Sequence, residues 1–305
     1  MDRNRFHMDI KSKPDVFDPL TLRDPQTKDL SLQLCGFDTA KPFATPRQNP
    51  YFSMLLVRIG KGRVIREGAS FSFEKECLMC FSIYQPYTVV ADGDFEGFLL
   101  NFHPGFFCLF EHRHEVSCNG VLFNNLYDTP VVNLEPDDWR SLMTIVGEIR
   151  GELSRPEHPD KDILISYLKI FLINASRKKM EQQHTDTAGF QKATPILADL
   201  TSAIEKHYKT LHQAGDYEKL LHVSVSVLNK ISKTYFRKTL TSLIAERVII
   251  EAKRQLYLTA KPVKEIAFEL GYADEFYFSR FFKKNVGVSP QLFRDKVGFD
   301  KAVLK

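Results

Sequence analysis

The stretch DYEKLLHVSVSVLNKISKTYF, residues 216–236, decides the fold of the C-terminal part of the chain. Asp216 is suited to cap a short helix over 217–221, and Ser224 is suited to cap a second helix over 225–235. Two short helices joined by a tight turn are typical of a helix-turn-helix unit. In such a unit the second helix, the recognition helix, enters the major groove of DNA.

The recognition helix of this first unit has two chemically different sides. Its apolar residues Val227, Leu228 and Ile231 are predicted to face the protein interior. The outward side carries short polar groups and cations, which suit base edges and phosphates: Ser226, Asn229, Lys230 and Lys233. Among these, Lys230 is a candidate guanine reader and Asn229 a candidate adenine reader.

The same design recurs further along the chain. A short helix over 262–270 precedes Gly271, which permits a tight turn, and a second helix follows over 274–286. The outward residues of that helix are predicted to contact DNA: Glu275, Phe276, Ser279, Arg280, Lys283 and Lys284. A long helix over 241–259, without an evident cap, lies between the two units and is expected to hold them in register.

Arg280 is the sharpest candidate for base recognition. Its guanidinium fork matches the O6 and N7 atoms of a guanine, whereas Lys283 and Lys284 lie further along the helix, where phosphates approach. The alternative is a salt bridge inside the domain, to Glu269 or Asp274. The sequence leaves both interpretations open.

Four segments occur in the order expected for one protein family: Arg247-Val-Ile-Ile-Glu-Ala-Lys-Arg-Gln-Leu256, Lys264-Glu-Ile-Ala-Phe-Glu-Leu-Gly-Tyr272, Tyr277-Phe-Ser-Arg-Phe-Phe-Lys-Lys284 and Gly287-Val-Ser-Pro-Gln-Leu-Phe-Arg294. Together they resemble the DNA-binding domain of AraC-type transcription regulators, over about a third of the chain. The resemblance implies a double helix-turn-helix domain that binds double-stranded DNA. Three positions depart from the family pattern. Glu218 replaces a small apolar residue under the first recognition helix, Phe276 a small polar one, and Arg237 a glycine.

The N-terminal half has a different pattern. Short apolar segments at 51–59, 69–73, 76–84 and 95–102 are separated by turn residues, which predicts an all-β barrel or sandwich. Helical periodicity follows over 134–153 and 160–180. This order is similar to the cupin-like sensor and dimerisation domain of many AraC-type regulators. Three residues at turns or strand ends are candidates for an effector pocket: Gln85, Tyr87 and His103.

We therefore expect an α+β protein of two domains. Residues 1–182 form the cupin-like domain, 183–193 a polar linker, and 194–305 the all-α DNA-binding domain. Residues 194–305 carry a net charge of +7 and residues 1–193 a net charge of −3, as expected if only the C-terminal part binds a polyanion. No apolar run is long enough to span a bilayer and no secretory signal is evident, so we expect a cytoplasmic protein without a membrane partner.

A metal site is the main alternative in the N-terminal half. The run Glu111-His-Arg-His-Glu115, with His103 nearby, has potential ligands, but the further Glu and His of a cupin site do not follow at a convincing spacing. We predict no metal and no other cofactor. We expect the protein to act by binding and not as an enzyme. The rival hypothesis is a metal-dependent cupin enzyme fused to a DNA-binding domain.

Partners other than DNA are less constrained by the sequence. A small molecule or a protein could act as effector, and RNA polymerase is a candidate partner of a transcription regulator. We expect a homodimer, with the apolar stripe of the 160–180 helix as its candidate seam: Ile163, Leu164, Tyr167 and Phe171. The same stripe could instead pack on the barrel.

Overall fold

A computed structural model describes residues 18–109, 112, 121–123, 126–156, 159–190 and 195–297, with the backbone alone for 184–190. By its internal contacts the chain divides into two compact units. The first comprises Met1–Asn125 and Thr129–Gln183, and the second comprises Leu126–Asp128 and His184–Lys305. A short segment of the N-terminal half of the sequence therefore belongs to the C-terminal unit.

The first unit contains two antiparallel sheets. The larger has the strand order β1-β2-β8-β3-β6-β9, and the smaller has the order β5-β4-β7. The strands are β1 Leu20–Arg23, β2 Leu30–Phe37, β3 Phe52–Ile59, β4 Gly62–Arg66, β5 Ala69–Phe73, β6 Cys77–Phe81, β7 Tyr87–Ala91, β8 Glu96–Phe102 and β9 Val131–Asn133. Side chains of both sheets form one buried core, which confirms the predicted β-domain.

Four of the strands, β3, β5, β6 and β8, match the apolar segments of the sequence. β4 lies between the predicted segments 51–59 and 69–73 and is not among them. In the structure Gly62 begins β4, and a Cβ atom there would lie 2.2 Å from the carbonyl oxygen of Val90 in β7. The glycine therefore permits two strands to approach closely, a contact that no local pattern reveals.

Two helices, α1 Pro136–Leu153 and α2 Lys161–Phe190, follow the strands. They pair antiparallel, because Lys178 Nζ lies 2.8 Å from Asp138 Oδ2 and the Tyr167 hydroxyl donates to Glu148 Oε2 at 3.2 Å. α2 continues to Phe190, so residues 183–190 of the predicted linker are helical. The division between the two units falls between Gln183 and His184.

The apolar stripe of α2 is not a free surface, which corrects its interpretation as a dimer seam. Leu164 and Phe171 are completely buried within the protomer. Ile163 and Tyr167 are half-buried. Ile170 of α2, by contrast, is exposed.

Helices are the regular secondary structure of the second unit in its described part, as predicted. Its helices are α3 Pro195–His207, α4 Ala214–Leu221, α5 Val225–Phe236, α6 Leu240–Leu258, α7 Val263–Glu269, α8 Glu275–Val286 and α9 Pro290–Val297. α6 contacts α3, α5, α7, α8 and α9. It therefore forms the centre of the unit and connects the two helix-turn-helix pairs, α4–α5 and α7–α8.

Candidate nucleic-acid interface and effector site

The first helix-turn-helix unit is built from local capping signals. Gln213 and Asp216 form a reciprocal capping box, so α4 begins at Ala214, earlier than predicted. His222 ends α4 with a left-handed backbone, φ 54°. The Ser224 hydroxyl accepts a hydrogen bond from the Val227 backbone N–H at 3.4 Å, which starts α5 as predicted.

The sides of α5 differ from the prediction at two residues. Val227 is 43% exposed, so its inward assignment was wrong, while Leu228 and Ser232 are completely buried. Asn229 is half-buried, and its Oδ1 accepts from the Leu240 backbone N–H at 3.0 Å. Its amide oxygen thus ties α5 to the first residue of α6. The other three predicted contact residues of this helix are exposed: Ser226, Lys230 and Lys233.

The second helix-turn-helix unit depends on Gly271. This residue has φ +81°, and a Cβ atom there would lie 2.0 Å from the Lys209 carbonyl oxygen. Both facts favour glycine, because the left-handed backbone disfavours a side chain and the close approach leaves no room for one. Asp274 then caps α8 through a hydrogen bond from the Tyr277 backbone N–H.

The outward side of α8 presents one apolar ring and several cations. Phe276 is 66% exposed. Arg280, Lys283 and Lys284 are exposed as well, whereas Glu275 and Ser279 are half-buried. Because Arg280 follows Phe276 by four residues, with the lysines one turn further on, these side chains share one side of the helix.

The salt bridges considered for Arg280 do not form. The Glu269 carboxylate pairs with Lys261, and the Asp274 carboxylate caps α8. Within the described ranges, none of the outward cations of the two recognition helices has an ion-pair partner: Lys230, Lys233, Arg280, Lys283 and Lys284. Their charges are available to a polyanion.

α6 sets the separation of the two helix-turn-helix pairs, α4–α5 and α7–α8. It begins at a cap that the sequence interpretation missed, because the Thr239 hydroxyl accepts from the Ser242 backbone N–H at 3.2 Å. Its 19 residues span about 28 Å at 1.5 Å per residue. That length is similar to the roughly 34 Å between successive major grooves on one face of DNA.

The segment Leu126–Asp128 completes the core of the first helix-turn-helix unit. Leu126 is buried in the cluster that contains residues of α3, α4, α5 and α6. The Tyr127 ring lies 5.3 Å from the Phe236 ring, and its hydroxyl donates to Glu205 Oε1 at 3.0 Å. Arg247 Nε donates to the other oxygen of Glu205 at 2.7 Å. Burial, followed by the charge of Glu205, raises the pKa of Tyr127, which therefore remains a donor.

The structure shows how two residues that depart from the family pattern are accommodated. Arg237 ends α5 with φ 58°, so a non-glycine residue adopts the left-handed backbone that glycine adopts more easily. Glu218 is exposed, and Tyr217 beside it is the completely buried residue of α4. Glu218 therefore does not pack under α5.

The three predicted effector-pocket residues have structural partners in the first unit. Tyr87 is buried and stacks on Phe81 with 3.8 Å between ring centroids. Gln85 Oε1 accepts from the Ser82 backbone N–H at 3.1 Å and stabilises the turn between β6 and β7. His103 is buried beyond the end of β8, where its Nδ1 accepts from the Gly105 N–H at 3.0 Å.

A row of polar residues lies next to Tyr87 in the same core. The strand register pairs Asn101 with Gln33 on one side and with Ser53 on the other, and Ser53 with Phe81. Residues two positions apart in a strand face the same side, so Ser53 and Asn101 face the same side as the core residues Leu55 and Leu99. The row therefore lies between the two sheets.

One polar atom of this row is unsatisfied. Asn101 Nδ2 donates to Gln33 Oε1 at 2.9 Å, while Asn101 Oδ1 is buried without a hydrogen-bond partner among the described residues. Sequence reasoning missed this row. Its signal was a single polar residue between apolar neighbours in each of three strands.

The possible metal run lies outside the described residues, except for His112. The His112 ring stacks on Phe107 with 4.8 Å between centroids. Across the described ranges, three or more potential ligands do not come together anywhere. Nor does a described helix have the length and apolar character to cross a membrane.

Comparison with known proteins agrees with this arrangement. A family model described as "Helix-turn-helix domain" matches residues 217–296. The raffinose operon transcriptional regulatory protein RafR of Pediococcus pentosaceus is 31% identical over 107 residues, which cover 35% of this chain and 39% of that protein. The regulatory protein SoxS of Escherichia coli K12 is 28% identical over 102 residues, which cover 33% of this chain and 95% of SoxS.

A solved structure is similar to part of the chain. The C-terminal domain of AraT, a response regulator from Geobacillus stearothermophilus, is 30% identical over 35% of this chain and 88% of that chain, with a TM-score of 0.33. The chain spans well under two thirds of the length of the raffinose regulator. Residues 217–296 are thus a helix-turn-helix domain of the AraC type.

Proposed function

We propose that this protein is a sequence-specific DNA-binding transcription regulator that acts by binding and carries out no catalytic step. The observation that carries the proposal is the pair of recognition helices on one central helix, α6, with unpaired cations on their outward sides. Phosphates are the natural partners of such cations, and base edges are within reach of the first turns of a recognition helix.

In the proposed complex α5 and α8 enter successive major grooves on one face of the duplex, about 34 Å apart. Arg280 reads a guanine, and Lys230 has the same role on α5. Lys233, Lys283 and Lys284 neutralise phosphates. Asn229 is a weaker adenine reader than its side chain suggests, because its Oδ1 already accepts from the Leu240 N–H and adenine would have to share that oxygen.

Two substitutions distinguish base reading from phosphate binding. Arg280→Ala should cost about 1–3 kcal/mol on the preferred site and little on random DNA. Lys284→Ala should weaken both DNAs equally and reduce the salt slope by roughly one unit. Titration of both variants against both DNAs at several salt concentrations measures this. If Arg280→Ala weakened binding to both DNAs equally, Arg280 would not be a base reader.

The N-terminal unit is proposed to receive the regulatory signal. Its support is the polar row of Gln33, Ser53 and Asn101, beside Tyr87, with one buried acceptor left unsatisfied. Such an interior suits a small polar molecule, and a protein effector is the alternative. Screening small polar molecules for a rise in melting temperature tests the proposal. Asn101→Leu should abolish the rise, and persistence of the rise would exclude the row.

The remaining assignments are also proposals. We propose a cytoplasmic homodimer whose DNA-bound form contacts RNA polymerase, and sedimentation velocity of the full chain at micromolar concentration tests the dimer. We propose that the protein holds no catalytic metal. Metal analysis of protein purified without metal-affinity steps should find none in stoichiometric amount, whereas one metal per chain, lost on replacing His112 and His114, would favour the enzyme hypothesis.

A further inference from the structure

Phe276 is an apolar residue in an unusual place. It is the second residue of α8 and, at 66%, has the highest exposed fraction of the large hydrophobic residues in the described ranges. Its neighbour Tyr277 is 59% exposed, but the Tyr277 ring lies 6.0 Å from Tyr272, within the aromatic cluster of the unit. Phe276 has no ring contact among the described residues. A role in the core therefore does not explain it.

The charges along α8 determine which part of DNA the Phe276 end of the helix meets. Glu275 places a carboxylate in the first turn of the helix, and phosphates would repel it. Lys283 and Lys284 place two cations near the other end. This charge distribution favours an arrangement in which the lysines lie against the DNA backbone and the first turn of α8 lies against the base edges. Recognition helices in general have this geometry.

The major groove offers one apolar group to a side chain that has no hydrogen-bonding atoms, the 5-methyl group of thymine. Placed against guanine or cytosine instead, the ring would cover donors and acceptors without satisfying them, at a cost in free energy. We propose that Phe276 contacts a thymine 5-methyl group and thereby selects thymine at one position of the site. This inference rests on the proposed function.

Arg280 predicts where that thymine lies. Four residues separate Phe276 from Arg280, which is about 6 Å along the helix axis. Base pairs are stacked about 3.4 Å apart, so the thymine lies one or two steps from the guanine that Arg280 contacts. The two side chains together read a thymine and a guanine close to each other within one major groove.

Uracil substitution tests the inference, because uracil differs from thymine only by the missing methyl group. The preferred site of the full-length protein is selected from random-sequence DNA, and each thymine is then replaced by uracil in turn. Affinities are measured by fluorescence anisotropy. For the wild-type protein, one replacement should weaken binding about fourfold, as expected for one buried methyl group.

Two variants complete the test. Phe276→Ala should bind the thymine and uracil versions of that position equally, while Tyr277→Ala, the matched control, should keep the difference. If no thymine shows a difference that depends on Phe276, although a specific site is bound, the inference is wrong and the proposed function stands. If selection yields no specific site, the proposed function fails and the inference with it.

Discussion

Removing the Leu126 side chain tests whether a residue from the N-terminal half of the sequence belongs to the DNA-binding unit. Leu126 is 5% exposed and lies in the core formed by α3, α4, α5 and α6. Leu→Ala at such a site costs about 2–5 kcal/mol. With a urea dependence of about 2 kcal/mol/M, the unfolding midpoint of the second unit should fall by roughly 1–2.5 M.

The protein contains its own probe for separating the two units. Its single tryptophan, Trp139, is buried in α1 of the first unit, so its fluorescence follows that unit alone. Ellipticity at 222 nm reports the helices of both units. Leu126→Ala should therefore shift the ellipticity change that belongs to the second unit and leave the fluorescence transition in place.

Leu122→Ala is the matched control, because Leu122 is 3% exposed, lies four residues earlier and belongs to the first unit. It should shift the Trp139 fluorescence transition instead. Tyr127→Phe, which removes the hydroxyl that donates to Glu205, should lower the stability of the second unit by about 0.5–1.5 kcal/mol. If Leu126→Ala shifts the fluorescence transition alone, the segment does not pack in the second unit and the reasoning is refuted.

Three further predictions concern particular residues. Gly271→Ala should destabilise the second unit by about 1–3 kcal/mol, measured as the urea midpoint of its ellipticity transition. Gly215→Ala should not destabilise the unit, because a Cβ atom at this position on α4 would meet open space. Equal midpoints for the two variants would contradict the crowding at Gly271. Arg237→Gly should stabilise the same unit by up to about 1 kcal/mol because it relieves a left-handed residue, and a lower midpoint would oppose this. Burial raises the pKa of Cys77 from 9.0 to about 12. The contribution of its neutral thiol to the stability of the first unit is therefore complete below pH 9 and is lost as pH rises toward 12. The Trp139 unfolding midpoint should fall over that range, and less so in Cys77→Ala; an unchanged pH dependence would contradict it.

The helices of the C-terminal unit could be predicted because their signals are local. Ser224 and Asp274 accept hydrogen bonds from backbone N–H groups three residues later, and such caps depend only on nearby residues. Charge and helical spacing likewise predicted the exposed cations Arg280 and Lys284. The assignment failed at Val227, since a short amphipathic helix with apolar residues on adjacent positions does not define which of them its neighbours cover.

Other features were decided only by tertiary structure. The Asn229 side chain has the donor and acceptor of a base reader, yet its oxygen accepts from the backbone N–H of the first residue of α6, eleven residues away. The polar row of the first unit arises from strand register, which brings Gln33 beside Asn101. The contact of Tyr127 with Glu205 spans 78 residues of sequence. The sequence by itself thus determined the helix-turn-helix units and their charged sides, because capping and periodicity act over one or two turns. The shared core, the internal role of Asn229 and the second unit's use of residues 126–128 depend on contacts between distant segments, which exist only once the chain has packed.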